Sequence, residues 1–114
     1  LAVLSGLRLE SIESIASNLA FQDWDAVRSS MMYNAQAGDS RSQGIVALVE
    51  EFGVDPKRTI YIGDTDHDVR QAKRAGAVSA VVKTGGQAVR HLDKIEAENP
   101  DHLLNSWPDL CRVV

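Results

Sequence analysis

The chain has 114 residues, 44% hydrophobic and 25% charged, and a formal net charge of −4 from 12 basic and 16 acidic side chains. That length and balance suit one globular domain over residues 1–114 with a buried core. The scattered basic residues exclude a tract for nucleic acid, no apolar run is long enough to span a membrane, and the lone Cys111 cannot close an internal disulfide, so a reducing, cytoplasmic setting is expected.

Along the chain, strands and helices are predicted to alternate. Leu1 to Leu4 is a short apolar run ended by Ser5-Gly6, as in a buried parallel strand. Leu9, Ile12, Ile15, Ala16 and Leu19 recur at helical spacing and predict a helix over 9–20. A strand over Val27 to Met32 follows, then a polar loop over Asn34 to Asp39. Ser40 and Gln43 have capping-box spacing, and Ile45, Leu48, Val49 and Phe52 form one helical face that Gly53 should stop. Thr59 to Ile62 reads as a strand. Asp66 to Ala75 reads as a helix with Val69, Ala72 and Ala75 inward, and Gly76 should end it. Val78 to Val82 is the next strand. Thr84-Gly85-Gly86 is a turn, Gln87 to Ala97 a surface helix, His102 to Leu104 an edge strand and Trp107 to Val114 a closing helix. Such alternation predicts an α/β fold, a three-layer Rossmann-like parallel sheet flanked by helices.

Ligands in such folds sit beyond the carboxyl ends of the strands. There the sequence places its densest cluster, Gly63-Asp64-Thr65-Asp66-His67-Asp68. Gly63 lets the chain leave the sheet, and Asp64 and Asp68, four apart, can share a helical face. Three carboxylates this close repel one another unless a positive charge sits among them, and a hard cation such as Mg²⁺ takes oxygen ligands of this kind. Asp at a helix start also serves capping and the helix dipole with no metal at all, and the cluster alone supports both readings equally. His67, His91 and His102 lie on too many elements to suggest zinc. His91 and His102 read as surface residues, and Trp24, Trp107, Phe21 and Phe52 as packing groups.

The stretch from Gly53 through Asp68, followed by Ala72-Lys73-Arg74-Ala75-Gly76-Ala77, resembles the fourth motif region of the haloacid dehalogenase (HAD) superfamily. It is closest in pattern to the phosphoglycolate-phosphatase-like branch. The resemblance implies a Mg²⁺-dependent phosphatase of a small phosphorylated metabolite, with Asp64 as metal ligand and Asp68 as the second acid, binding through water or orienting the ligands. It further implies that Ser5 Oγ and the Gly6 N–H hold a phosphate oxygen, and that Arg41 balances the charge of phosphate and nucleophile. Taken alone, Ser5 reads as a helix-start residue and Arg41 as an exposed helix-start arginine.

The family's first motif, an Asp-x-Asp after a strand whose first Asp is the nucleophile, has no counterpart before Ser5. Asp23-Trp24-Asp25 has the spacing but follows a predicted helix, and Asp64-Thr65-Asp66 has the spacing and follows a strand but would have to act as first and fourth motif at once, leaving no separate metal site. The core is therefore expected to be incomplete and inactive alone. Without the strand that bears that motif, the strands at Leu1 to Leu4 and Thr59 to Ile62 would each keep an unpaired edge. They could close on each other, pair across a homodimer, or receive an N-terminal portion, the last being expected because residue 1 already lies in a strand. Two rival functions are a non-catalytic module of this fold that keeps an acidic Mg²⁺ or phosphate site and binds a partner or itself, and a receiver-like domain with Asp64 as phosphoacceptor.

Overall fold

A computed structural model describes residues 1–5, 8–17, 24–33 and 40–114. In chain order its elements are β1 (Ala2–Ser5), α1 (Leu9–Ser17), β2 (Ala26–Ser29), α2 (Ser40–Phe52), β3 (Ile60–Gly63), α3 (Asp66–Arg74), β4 (Val78–Val82), α4 (Leu92–Ala97) and β5 (His102–Leu104). Short 3₁₀ turns follow β2 at Ser30–Met32, precede β3 at Pro56–Arg58 and end the chain at Trp107–Arg112. Among the described residues, no helix is long and apolar enough to cross a membrane.

Every strand pairing is parallel. β4 lies between β3 and β5, and β1 pairs with β2 in a separate sheet. The register sets Ile62 against Ala80 and Ala80 against His102, and in the other sheet Ser5 against Ser29. β4 is buried from Ser79 to Val82 because it has a strand on both edges. All four residues of β3 are only half-buried, as suits a strand that among the described residues is paired on one edge. Among the described residues no ladder joins β1 to β3, so these strands do not close on each other.

Helix α2 links the two sheets. Its Ile45 and Val49 pack with Ala75 and Ala77, and both Leu4 of β1 and Tyr61 of β3 lean on that cluster. Gly44 permits the approach, since a Cβ there would lie 2.8 Å from a Leu4 methyl. A second cluster joins Val69 of α3, Val81 of β4, Ala88 and Ile95. Asp101 clamps the turn before β5 to β4: its Oδ2 accepts from Ser79 N at 2.8 Å and Ser79 Oγ at 3.0 Å. These two amide and hydroxyl donors hold its pKa below the usual carboxylate range.

The inward face predicted for α3 is as expected, with Val69, Ala72 and Ala75 buried. Several other expectations need correction. The second strand stops at Ser29, whose hydroxyl caps the 3₁₀ turn by accepting from Met31 N, so Ser30 to Met32 leave the sheet. Residues 83–90 form turns, and the helix begins only at Leu92. The closing segment is 3₁₀ and ends at Arg112, with Pro108 at its start. Phe52 and Trp107 are exposed rather than packed. Phe52 lies at the end of α2, beyond the cluster that Ile45 and Val49 reach. Ile15 is exposed as well, while Ile12 is buried. Leu19, Phe21, Gly6 and the loop 34–39 lie outside the described residues.

Candidate functional site

β3 ends in Gly63, and the chain turns at Asp64 and Thr65 into α3. The turn is held by a capping box. Thr65 Oγ1 accepts from Asp68 N at 3.1 Å, while Asp68 Oδ2 accepts from Thr65 N at 3.2 Å and Thr65 Oγ1 at 2.7 Å. Asp64 N donates to the same oxygen at 3.2 Å. Gly63 is required here, because a Cβ would sit 2.4 Å from Asp68 Cβ.

The other oxygen of Asp68 faces a cation. Oδ1 accepts from Arg41 Nη1 at 2.7 Å and from Tyr61 Oη at 3.3 Å, and Arg41 Nη1 also donates to Tyr61 Oη at 3.0 Å. The Asp68 side chain is 7% exposed and Arg41 24%, so this ion pair is largely shielded from water. Burial, followed by the charge of Asp68, pushes the Tyr61 phenol up to about 12. Burial opposes the charge on Arg41, but Tyr61 and Asp68 outweigh it and hold the guanidinium above its usual range. Both carboxylate oxygens of Asp68 are thus engaged by protein donors.

Asp64 differs. Its Oδ2 accepts from Gln87 N at 3.2 Å, and its Oδ1 takes no protein donor among the described residues. Gly85 lets the Asp64 side chain lie against the turn after β4, since a Cβ there would approach Asp64 Cβ to 2.8 Å. Asp66 is drawn away by Arg70 at 2.8 Å, which holds its pKa below the usual range.

These groups line an open hollow of about 510 Å³, together with His67, Gln87, His91 and Lys94. The hollow brings together Arg41, Asp64 and Asp68. Ser5, the last residue of β1, is not among its lining residues, and Gly6 lies outside the described residues. Asp25 directly precedes β2, and Asp23 lies outside the described residues.

A hard divalent cation is testable against this donor set. Asp64 offers one free carboxylate oxygen in a polar hollow, a suitable ligand for such an ion, which commonly keeps several waters. Among the described residues, no three His, Cys, Asp or Glu side chains gather to hold a metal by themselves. The residues fit as one protein ligand of a set to be completed by water or a bound phosphate.

A family model described as HAD-hydrolase-like matches residues 36–110, which include the acidic turn and its flanking elements. The chain belongs to the HAD-like hydrolases. Pyrophosphatase PpaX of Halalkalibacterium halodurans is 40% identical over 63 residues, covering 55% of this chain and 28% of that protein. Phosphoglycolate phosphatase of Aquifex aeolicus is 29% identical over 70 residues, covering 61% of this chain and 30% of that protein. The matched stretch is therefore less than a third of either relative's length. A predicted phosphoglycolate phosphatase from Haemophilus somnus 129PT superposes with a TM-score of 0.83 at 18% identity, over 99% of this chain and 48% of that one. A haloacid dehalogenase-like protein, SP0104 of Streptococcus pneumoniae, gives a TM-score of 0.81 at 16% identity, over 99% and 51%. These two likenesses show the shared fold.

Within this HAD-like hydrolase, the sequence reading did not assign to the site Gln87, His91 and Lys94, which line the hollow, or Tyr61, which hydrogen-bonds Arg41 and Asp68. Tyr61 looked like strand packing, and its position two residues before Gly63 was its one signal. Gln87, His91 and Lys94 fall at helix-like spacing in a segment taken for a surface helix. Their place against the acidic turn depends on the tertiary packing of Ala88 and Ile95.

Proposed function

We propose that this HAD-like hydrolase chain supplies the Mg²⁺- and phosphate-handling half of a phosphomonoester hydrolase acting on a small phosphorylated metabolite. The observation that carries the reading is the unequal use of two carboxylates. Asp68 is spent on protein donors, while Asp64 keeps an oxygen facing the hollow beside Arg41. In this reading Asp64 is the Mg²⁺ ligand, and Asp68 positions it by gripping the Asp64 and Thr65 amides. Arg41, braced by Asp68 and Tyr61, presents its remaining Nη2 donors to a phosphate oxygen. When bound, the cation offsets phosphate charge and polarises the phosphoryl group. Ser5 and Gly6 would contribute a phosphate contact from the end of β1. The names of the curated relatives, two pyrophosphatases and a phosphoglycolate phosphatase, support a small phosphorylated substrate.

The nucleophile is absent from this sequence, so the isolated chain is inactive and turnover requires an Asp-x-Asp strand supplied from elsewhere. Titration with Mg²⁺ followed by amide NMR tests the metal reading: the Gly63 to Asp68 signals should move, and should stay still in Asp64→Asn. Still signals in the wild-type chain, with phosphate present, would refute it. Hydrolysis of a chromogenic phosphomonoester by the chain alone would refute the inactivity.

A second reading, a non-catalytic module that self-associates, is favoured by the edges of β1 and β3 that carry no strand among the described residues. Sedimentation equilibrium and an activity assay separate the two, since a stable homodimer that shows no turnover when the Asp-x-Asp portion is added in trans supports the module.

A further inference from the structure

Tyr61 joins the apolar core to the site. Its ring leans on the cluster of Ile45, Val49, Ala75 and Ala77, and its hydroxyl accepts from Arg41 Nη1 at 3.0 Å. Arg41 is the second residue of α2, about one turn before Ile45. The packed ring fixes where the hydroxyl sits, and that hydroxyl donates on to Asp68 Oδ1 at 3.3 Å.

The Arg41 guanidinium divides its donors unevenly. Its N–H bonds lie in one rigid plane, a pair on each Nη and a single one on Nε. Nη1 is engaged twice, by Asp68 Oδ1 at 2.7 Å and by Tyr61 Oη. Among the described residues Nε is buried with no acceptor and Nη2 makes no protein hydrogen bond, while Arg41 lines the hollow. All of the polar anchoring therefore falls on Nη1. Held by Asp68 alone, the planar group could swing about a single N–H···O axis. A second acceptor, carried on a ring set in the core, removes that freedom and fixes the direction of Nη2.

We infer that Tyr61 is a positioning residue for oxyanion binding: with Asp68 it occupies Nη1, fixes the guanidinium plane of Arg41 and so aims Nη2 into the hollow. This rests on the phosphatase reading, which gives Arg41 to the phosphate. It adds a residue whose hydroxyl sets oxyanion affinity without touching the ligand. It also makes hydroxyl and fork a matched pair. A lysine at position 41 could satisfy Asp68 and Tyr61 with its one nitrogen, but would have no second nitrogen to aim.

The test is a double-mutant cycle on the full chain in excess Mg²⁺, with inorganic phosphate as the probe and calorimetry or NMR as the readout. Tyr61→Phe keeps the ring and should weaken phosphate about fivefold, the scale of one hydrogen bond. Its Mg²⁺ affinity without phosphate should change by less than about twofold, because Asp64 and the Asp68 Oδ2 contacts beside it do not involve Tyr61. Arg41→Lys should weaken phosphate about tenfold or more. Adding Tyr61→Phe to Arg41→Lys should then cost less than about twofold, since no fork is left to aim. In the wild-type chain, the Arg41 Nη1 and Nη2 protons should give separate NMR signals. One averaged signal, or two substitutions whose effects simply multiply, would overturn the inference. Phosphate binding that needs Asp64 and Arg41 but is unchanged in Tyr61→Phe would also overturn it and leave the phosphate-site reading standing. Absence of Mg²⁺-dependent phosphate binding by the wild-type chain would overturn both.

Discussion

Arg41 Nη1 lies 2.7 Å from Asp68 Oδ1, joining the first turn of α2 to the first turn of α3 across 27 residues of sequence. The contact makes Asp68 a structural keystone of the acidic turn: one oxygen holds Arg41 and Tyr61, the other holds the Asp64 and Thr65 amides and the Thr65 hydroxyl.

Asp68→Asn should therefore destabilise the chain severely. It removes half of a shielded ion pair and weakens a capping box, a combined loss of about 3 kcal/mol or more. Urea denaturation of the two proteins measures it, and a midpoint within error of wild type would contradict the role.

Asp64→Asn should behave in the opposite way. Asp64 accepts a single backbone hydrogen bond from Gln87 and makes no ion pair, so stability should change by about 0.5 kcal/mol or less. The same variant should lose Mg²⁺ binding. A large stability loss would show that the carboxylate is structural.

Tyr61 should ionise late. Its phenol is raised from 10.0 to about 12, first by burial and then by Asp68. A folded-state pKa above the unfolded one contributes stability that is complete below pH 10 and is lost as pH rises toward 12. Ultraviolet titration should show a high-pH phenolate step that Tyr61→Phe removes. A step at the ordinary value would mean that the ring is not enclosed.

Gly85→Ala probes the contact between the acidic turn and the turn after β4. The new methyl would lie 2.8 Å from Asp64 Cβ and 3.1 Å from the Val82 carbonyl oxygen. Relief requires moving Asp64 or the turn, at about 1–3 kcal/mol. Mg²⁺ affinity should fall along with the melting temperature. An unchanged affinity would show that Asp64 is not set by this turn.

At low pH, Asp101 should matter. Its pKa is depressed by the Ser79 donors, so its contribution is present above the unfolded pKa and fades as pH falls through the folded one, below about pH 4. Melting temperature between pH 5 and pH 2 should fall less steeply in Asp101→Asn than in the wild-type chain.

Local signals made much of this legible in the sequence. The apolar runs at 60–62 and 78–82 and the inward face of Val69, Ala72 and Ala75 belong to elements that carry their own periodicity, and they appear as strands and helix at those places. The turn 63–68 was legible because its chemistry lies in consecutive residues. Short-range competition misled the reading elsewhere: the Ser29 hydroxyl stops its strand, and turns at 83–90 replace the first part of a helix.

The sequence by itself determined the parallel α/β character, the family and the residues of the acidic turn, because each depends on neighbours a few positions apart. Tertiary structure decided what those residues do. It gave both oxygens of Asp68 to protein donors, left one of Asp64 open, placed Tyr61 in hydrogen-bond reach of Arg41, and brought Gln87, His91 and Lys94 into the same hollow. The longest of those links, Arg41 to Asp68 and Asp64 to Gln87, join elements more than twenty residues apart, where buried apolar contacts set position and no periodicity in the chain records it.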